Sequence, residues 1–116
     1  WMYEYKEYGL NYILKFAMEK IPCQILCHPA VLTLQREDRE NATSYLDTLA
    51  AYLTCEKNVK KIAEQLFIHR NTLMYRLEKI ASLTGINYNN IDEMEYILLS
   101  IRILRLQEAD IFTPKF

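Results

Sequence analysis

In the stretch NVKKIAEQLFIHRNTLMYRLEKI, Asn58 to Ile80, apolar residues keep helical spacing twice, with a break of phase between the two runs. Val59, Ile62, Ala63 and Leu66 recur at three and four residues, and Asn58 stands where a side-chain oxygen can take a free first-turn N–H. Phe67-Ile68-His69 interrupts the rhythm. Leu73, Leu77 and Ile80 restart it in a helix predicted to end at Gly85, a natural C′ residue. Two short helices on a three-residue turn form a helix-turn-helix, whose second helix crosses over the first with room beneath it only for a small side chain. Ala63 meets that need, and Ile62, Leu66, Ile68, Leu73, Leu77 and Ile80 complete the predicted core of the motif. An ordinary αα-corner can carry the same apolar pattern, so the charges must separate the two.

The whole chain of 116 residues has a net charge of −1, which excludes a globally basic binder. Lys57 to Ile80 nevertheless holds six basic residues (Lys57, Lys60, Lys61, Arg70, Arg76, Lys79) against two acidic ones (Glu64, Glu78), a local +4. At ~100° per residue, turning Leu73, Leu77 and Ile80 inward sends Asn71, Tyr75 and Glu78 outward. Arg70, Asn71, Thr72 and Tyr75 then occupy the first turns, the part of a recognition helix that enters the major groove of double-stranded DNA. Arginine suits guanine O6/N7 there, and asparagine suits adenine N6/N7. These four are the predicted base readers. Asn58, Lys60, Lys61, His69, Arg76 and Lys79 are the predicted phosphate contacts, which fix register without reading sequence. Arg76 lies nearer the buried side, so a packed stem paired to an acid such as Glu64 is equally open to it. Glu78 would repel phosphate and restricts contact to the early turns.

The core His-Arg-Asn-Thr-Leu-x-Tyr-Arg-Leu, His69 to Leu77, followed by Leu83-Thr84-Gly85-Ile86, closely resembles the carboxy-terminal helix-turn-helix of the PucR/CdaR family of bacterial transcription regulators. The similarity extends back through Leu46 to Leu53 and forward to Arg105, and Tyr8-Gly9-Leu10 resembles the segment joining the family's upstream domain. It implies a DNA-binding regulator whose amino-terminal sensor is absent from this sequence. The layout is also similar to the Fis type, in which a turn glycine is common. Phe67 takes that place here and is expected to pack.

Before the motif, Leu10, Ile13, Leu14, Ala17 and Met18 predict one face of a helix over 8–20, ended by Pro22. Pro29 forbids an unbroken helix through Ile25, Leu26, Val31, Leu32 and Leu34, so two pieces with a kink are expected. The charged run Arg36 to Asn41 reads as a connector, with Asn41 capping a helix that carries Leu46, Leu49, Ala50 and Leu53. After Gly85, Asp92 and Glu95 resemble a capping box opening a last helix to about Gln107. That helix has two apolar stripes, Met94, Ile97, Leu98, Ile101 and Leu104 on one side and Leu99, Ile103 and Leu106 on the other. The second stripe needs cover from a second subunit or from the helices before Gln35, and a homodimer is favoured because paired recognition helices read a palindrome.

With 51% hydrophobic residues but only two glycines and three prolines, the composition supports a helical core and disfavours sandwiches and barrels. The expected fold is all-α with about six helices, comprising an amino-terminal helical connector and packing segment (1–40), a DNA-binding domain (41–110) and a tail (111–116). Three cysteines do not close a disulfide framework and read as reduced thiols of a cytoplasmic protein. Cys23, Cys27 and His28 match no zinc spacing, so no metal is expected, and no membrane span, catalytic constellation or cofactor loop is found. A chain opening on Trp1 reads as a segment of a longer protein. A helical protein–protein interaction or dimerisation module, with its basic strip against an acidic protein, is the alternative function.

Overall fold

A computed structural model describes the backbone of residues 2–112 and the side chains of residues 8–109. Seven helices follow in order: α1 (Met2–Lys20), α2 (Cys23–Leu26), α3 (Pro29–Asn41), α4 (Tyr45–Thr54), α5 (Val59–Leu66), α6 (Arg70–Thr84) and α7 (Ile91–Phe112). The fold is all-α, and α2 and α3 are the two pieces expected around Pro29, which, counted separately, bring the expected about six helices to seven. Most of the expected tail 111–116 lies outside the described residues.

Pro29 acts as anticipated. It stands at the first position of α3, where its missing N–H is harmless, and His28 before it is extended (ψ 133°) with its ring nitrogen accepting from the Ala30 N–H. The thiols of Cys23 and Cys27 are buried, and burial pushes Cys27 up to about 11, as befits an inert core thiol.

Three sequence expectations need correction. The charged run from Arg36 to Asn41 is the second half of α3, because its polar residues lie on a solvated face while Val31 and Leu34 anchor the helix in the core. Asn41 therefore caps nothing; its amide donates to Glu37 within α3. The chain reverses at Ala42 in the left-handed region (φ 52°), and the start of α4 is satisfied from α3 instead. Asp38 accepts the Tyr45 N–H at 2.9 Å, the Leu46 N–H at 3.1 Å and the Thr43 hydroxyl, whereas Ser44, in the cap position, makes no side-chain cap bond. One carboxylate thus fastens two helices, and Asp38→Ala is expected to lower stability by about 1–3 kcal/mol, as removal of a charged hydrogen-bond partner from free N–H groups does. Urea denaturation monitored by circular dichroism checks this.

The second correction concerns α7, which starts one residue earlier than Asp92. Asn90 is the cap, accepting from the Glu93 N–H at 3.0 Å, and the Glu93 carboxylate reaches back to the Asn87 N–H. The cap and its acid stand two residues earlier than Asp92 and Glu95 suggested, and α7 runs five residues past Gln107. The third concerns α1: Leu14 is buried but Ile13 is 67% exposed, so the inward face is narrower than predicted.

α7 forms the spine of the core. It packs against α1, α2, α3 and α4, and its buried Met94, Ile97, Ile101 and Leu104 meet Leu14, Val31, Leu34 and Leu49. Ile103, on the second stripe, is also buried and Leu106 packs against the same core, while Leu99 stays 37% exposed, so this chain covers most of that stripe itself. A separate cluster of Ala51, Ile62, Leu73 and Leu77 lies under the helix-turn-helix.

Candidate nucleic-acid interface

α5 begins as its sequence dictates. The Asn58 side chain accepts the Lys61 N–H at 3.2 Å, and after eight helical residues the chain leaves the helix at Phe67. Phe67 is in the left-handed conformation (φ 56°, ψ 42°); its N–H reaches the Glu64 carbonyl and the Ile68 N–H reaches the Ala63 carbonyl at 3.0 Å. These two bonds are a Schellman closure, which ordinarily uses glycine. A side chain there costs roughly 1–2 kcal/mol because its Cβ crowds the backbone. The expectation that Phe67 packs is overturned: it is 94% exposed. Phe67 keeps the glycine's backbone conformation and projects its ring into solvent.

His69 opens α6 as its N-cap, with Nδ1 accepting the Asn71 N–H at 3.0 Å. In the neutral ring this puts the proton on Nε2, leaving an exposed donor beside the helix start. From there the predicted phase holds. Leu73, Leu77 and Ile80 are buried, and Arg70, Asn71, Thr72, Met74, Glu78 and Lys79 are exposed, with Tyr75 61% exposed. Ile62 is buried in the same layer, while Ala63, Leu66 and Ile68 pack at its edge. α6 is thus held from behind and open in front. Its end is closed by Gly85 (φ 72°), whose N–H reaches the Ala81 carbonyl.

The predicted phosphate contacts fall into two groups. Lys60, Lys61, His69 and Lys79 are exposed, and Lys60, His69 and Arg70 share a cleft with Val59, Ala63 and Phe67 between the starts of α5 and α6. Asn58 is exposed too, but its carbonyl oxygen is committed to the cap. Arg76 stands apart: it is partly buried, and its guanidinium donates to the Thr48 hydroxyl on α4 at 3.4 Å, not to Glu64. That bond orients α6 on α4. Two supporting residues lay beyond sequence reasoning. The Tyr88 hydroxyl donates to the Leu77 carbonyl at 2.6 Å, and Lys57 donates to the Tyr88 carbonyl. Burial, with Tyr52 adding to it, holds the Tyr88 hydroxyl above its ordinary range, so it remains a donor. The loop after α6 is thereby tied to the middle of α6.

Residues 45–103 match the family described as the PucR C-terminal helix-turn-helix domain. Over 103 residues the chain is 31% identical to the proline-responsive transcriptional activator PutR of Bacillus subtilis, which covers 89% of this chain and 25% of that protein. It is 26% identical over 102 residues to the DNA-binding transcriptional activator AdeR of the same organism, covering 88% of this chain and 24% of AdeR. Against the carbohydrate diacid regulator of Escherichia coli it is 41% identical over 58 residues, 48% of this chain and 14% of that regulator. The chain therefore spans about a quarter of the length of the first two relatives. No solved structure matches it. A profile covering half of the chain, laid over a helix-turn-helix whose second helix has its polar face open to solvent, places this protein in the PucR C-terminal helix-turn-helix family, the DNA-binding output domains of bacterial transcription regulators.

Proposed function

We propose that α6 reads base edges in the major groove through Arg70, Asn71, Thr72 and Tyr75, while Lys60, Lys61, His69 and Lys79 hold phosphates on either side. The observation that carries this is the phase of α6: Asn71, Thr72 and Tyr75 stand exposed on the side away from the buried Leu73 and Leu77, and Arg70 is exposed at the open first turn of the helix. Arginine and asparagine there offer the paired donors and acceptors that distinguish guanine and adenine. Arg76 is reassigned to positioning, since its guanidinium is spent on Thr48.

The unit doing this spans residues 41–110, with α1 to α3 as its packing segment, and it acts in the cytoplasm as a homodimer below a sensor domain of a longer regulator. It is a reader and not a catalyst. Among the described residues no helix is long and apolar enough to cross a membrane, and no group of three His, Cys, Asp or Glu side chains could hold a metal ion.

Selection of a random-sequence duplex pool by the 116-residue chain tests the reading. Enrichment of a defined sequence is expected, with affinity falling with salt by a log–log slope of about −0.9 per phosphate neutralised. Binding that enriches no sequence contradicts it and favours the interaction-module alternative.

A further inference from the structure

We infer that Phe67 is a DNA contact, an apolar finger beside the recognition helix; this rests on the DNA-reading function proposed above. Its backbone occupies a conformation for which glycine is the unstrained choice, and its ring is 94% exposed. A residue that strains its own turn and leaves its ring in water is accounted for by a contact outside the chain. The neighbours indicate which. Phe67 shares one cleft with Lys60, His69 and Arg70, and with one acid, Glu64, at the start of α6. An exposed aromatic ring beside Lys60, Arg70 and the His69 Nε2 donor suits a partner with both phosphates and apolar surface, and a duplex offers the thymine methyl and the deoxyribose face.

Phe67→Gly separates folding from binding because the two effects run in opposite directions. The midpoint of thermal unfolding should rise by about 3–6 °C as the strain is relieved, a shift typical of a domain this size. Affinity for the duplex enriched by the wild-type chain should fall about tenfold, and Phe67→Tyr should retain it. Deoxyuridine in place of thymidine then distinguishes the two DNA groups. Weaker wild-type binding, with no change for Phe67→Gly, identifies the methyl; equal behaviour of both probes identifies the sugar. Unchanged affinity in Phe67→Gly overturns the proposal, as does a fall in both stability and affinity, which would make Phe67 a folding residue. If the pool enriches no sequence, it is the DNA-reading function that fails.

A different observation concerns α1, whose outer side carries Tyr8, Tyr12, Ile13 and Phe16, all 65–73% exposed. They cover an arc of ~140°, opposite the buried Leu14. Gly9 lies within that arc with nothing within 4 Å of where a Cβ would stand, so nothing in its own chain requires a glycine in mid-helix. We propose that this face pairs with α1 of a second copy, antiparallel about a dyad between Tyr12 and Ile13. That register seats Phe16 of the partner subunit in the hollow at Gly9, and the reverse, with Tyr12 against the partner's Ile13. The surface is self-complementary, as a two-fold interface must be. Large side chains this exposed remove about 1,000 Å² from the two copies together, the lower bound of a specific interface. This rests on the dimeric reading above.

Sedimentation equilibrium of the chain should give twice 13.8 kDa, and Tyr12→Glu with Phe16→Glu should give 13.8 kDa. The double variant should keep wild-type affinity for an isolated half-site and lose about a hundredfold on the palindrome. A monomeric wild-type chain, or a double variant that still dimerises, overturns the pairing. Loss of half-site binding in the double variant overturns it too, by giving the α1 face a part in folding or DNA contact, whereas a wild-type chain that binds neither duplex counts against DNA reading.

Discussion

Leu73→Ala is expected to cost about 3 kcal/mol of folding stability, within the range of about 2–5 for truncating a buried leucine. Leu73 is fully buried and shares its cluster with Ile62, Leu77 and Ala51, so its removal opens a cavity where α6 rests on α5 and α4. A domain of this size has about 5–15 kcal/mol in total, and the loss should show as a large drop in the urea midpoint at unchanged slope. Leu73→Met, which nearly conserves volume, should cost less than about 1.5 kcal/mol. DNA affinity should fall in Leu73→Ala even where the protein remains folded, because the four outward side chains owe their alignment to the residue behind them.

Arg70→Ala is expected to weaken binding to the selected duplex by about 1–3 kcal/mol, roughly tenfold to a hundredfold, and to relax choice at one base pair. Arg70→Lys sharpens the comparison. Lysine keeps the charge but lacks the planar fork that meets guanine O6 and N7 together, so it should lose discrimination nearly as fully as alanine while keeping more affinity. Lys60→Ala or Lys61→Ala should behave differently, weakening all sequences alike and lowering the salt slope by about one. Competition titrations at several salt concentrations separate these outcomes. Uniform loss across sequences in Arg70→Ala would make it a phosphate clamp.

The helix-turn-helix was legible because everything that specifies it is local. Asn58 caps a helix three residues on, Ala63 and Leu73 report the crossing through size and spacing, and Gly85 ends α6 by its own backbone freedom. The phase of Leu73, Leu77 and Ile80 placed Asn71 and Tyr75 outside without reference to any other helix. What was misread depends on partners distant in the chain. Asp38 caps α4 from across a helix–helix corner, and no sequence rule distinguishes that carboxylate from the solvated ones beside it. Arg76 could have sought Glu64 or a phosphate; Thr48 stands 28 residues away. The second stripe of α7 called for cover, but periodicity records that a face is apolar and not what lies on it. Phe67 inverts the usual rule, since at a left-handed turn the backbone's need is met whatever the side chain does, leaving its ring free of the core.

In the proposed complex the polar edge of α6 meets DNA while the core layer behind it stays closed. Amide chemical-shift mapping on titration with the selected duplex tests it directly. The largest changes are expected on residues 58–61 and 67–75, with α7 and the inner side of α1 unmoved. Shifts concentrated on α1 and α7, with Asn71 and Tyr75 unaffected at saturation, would contradict it.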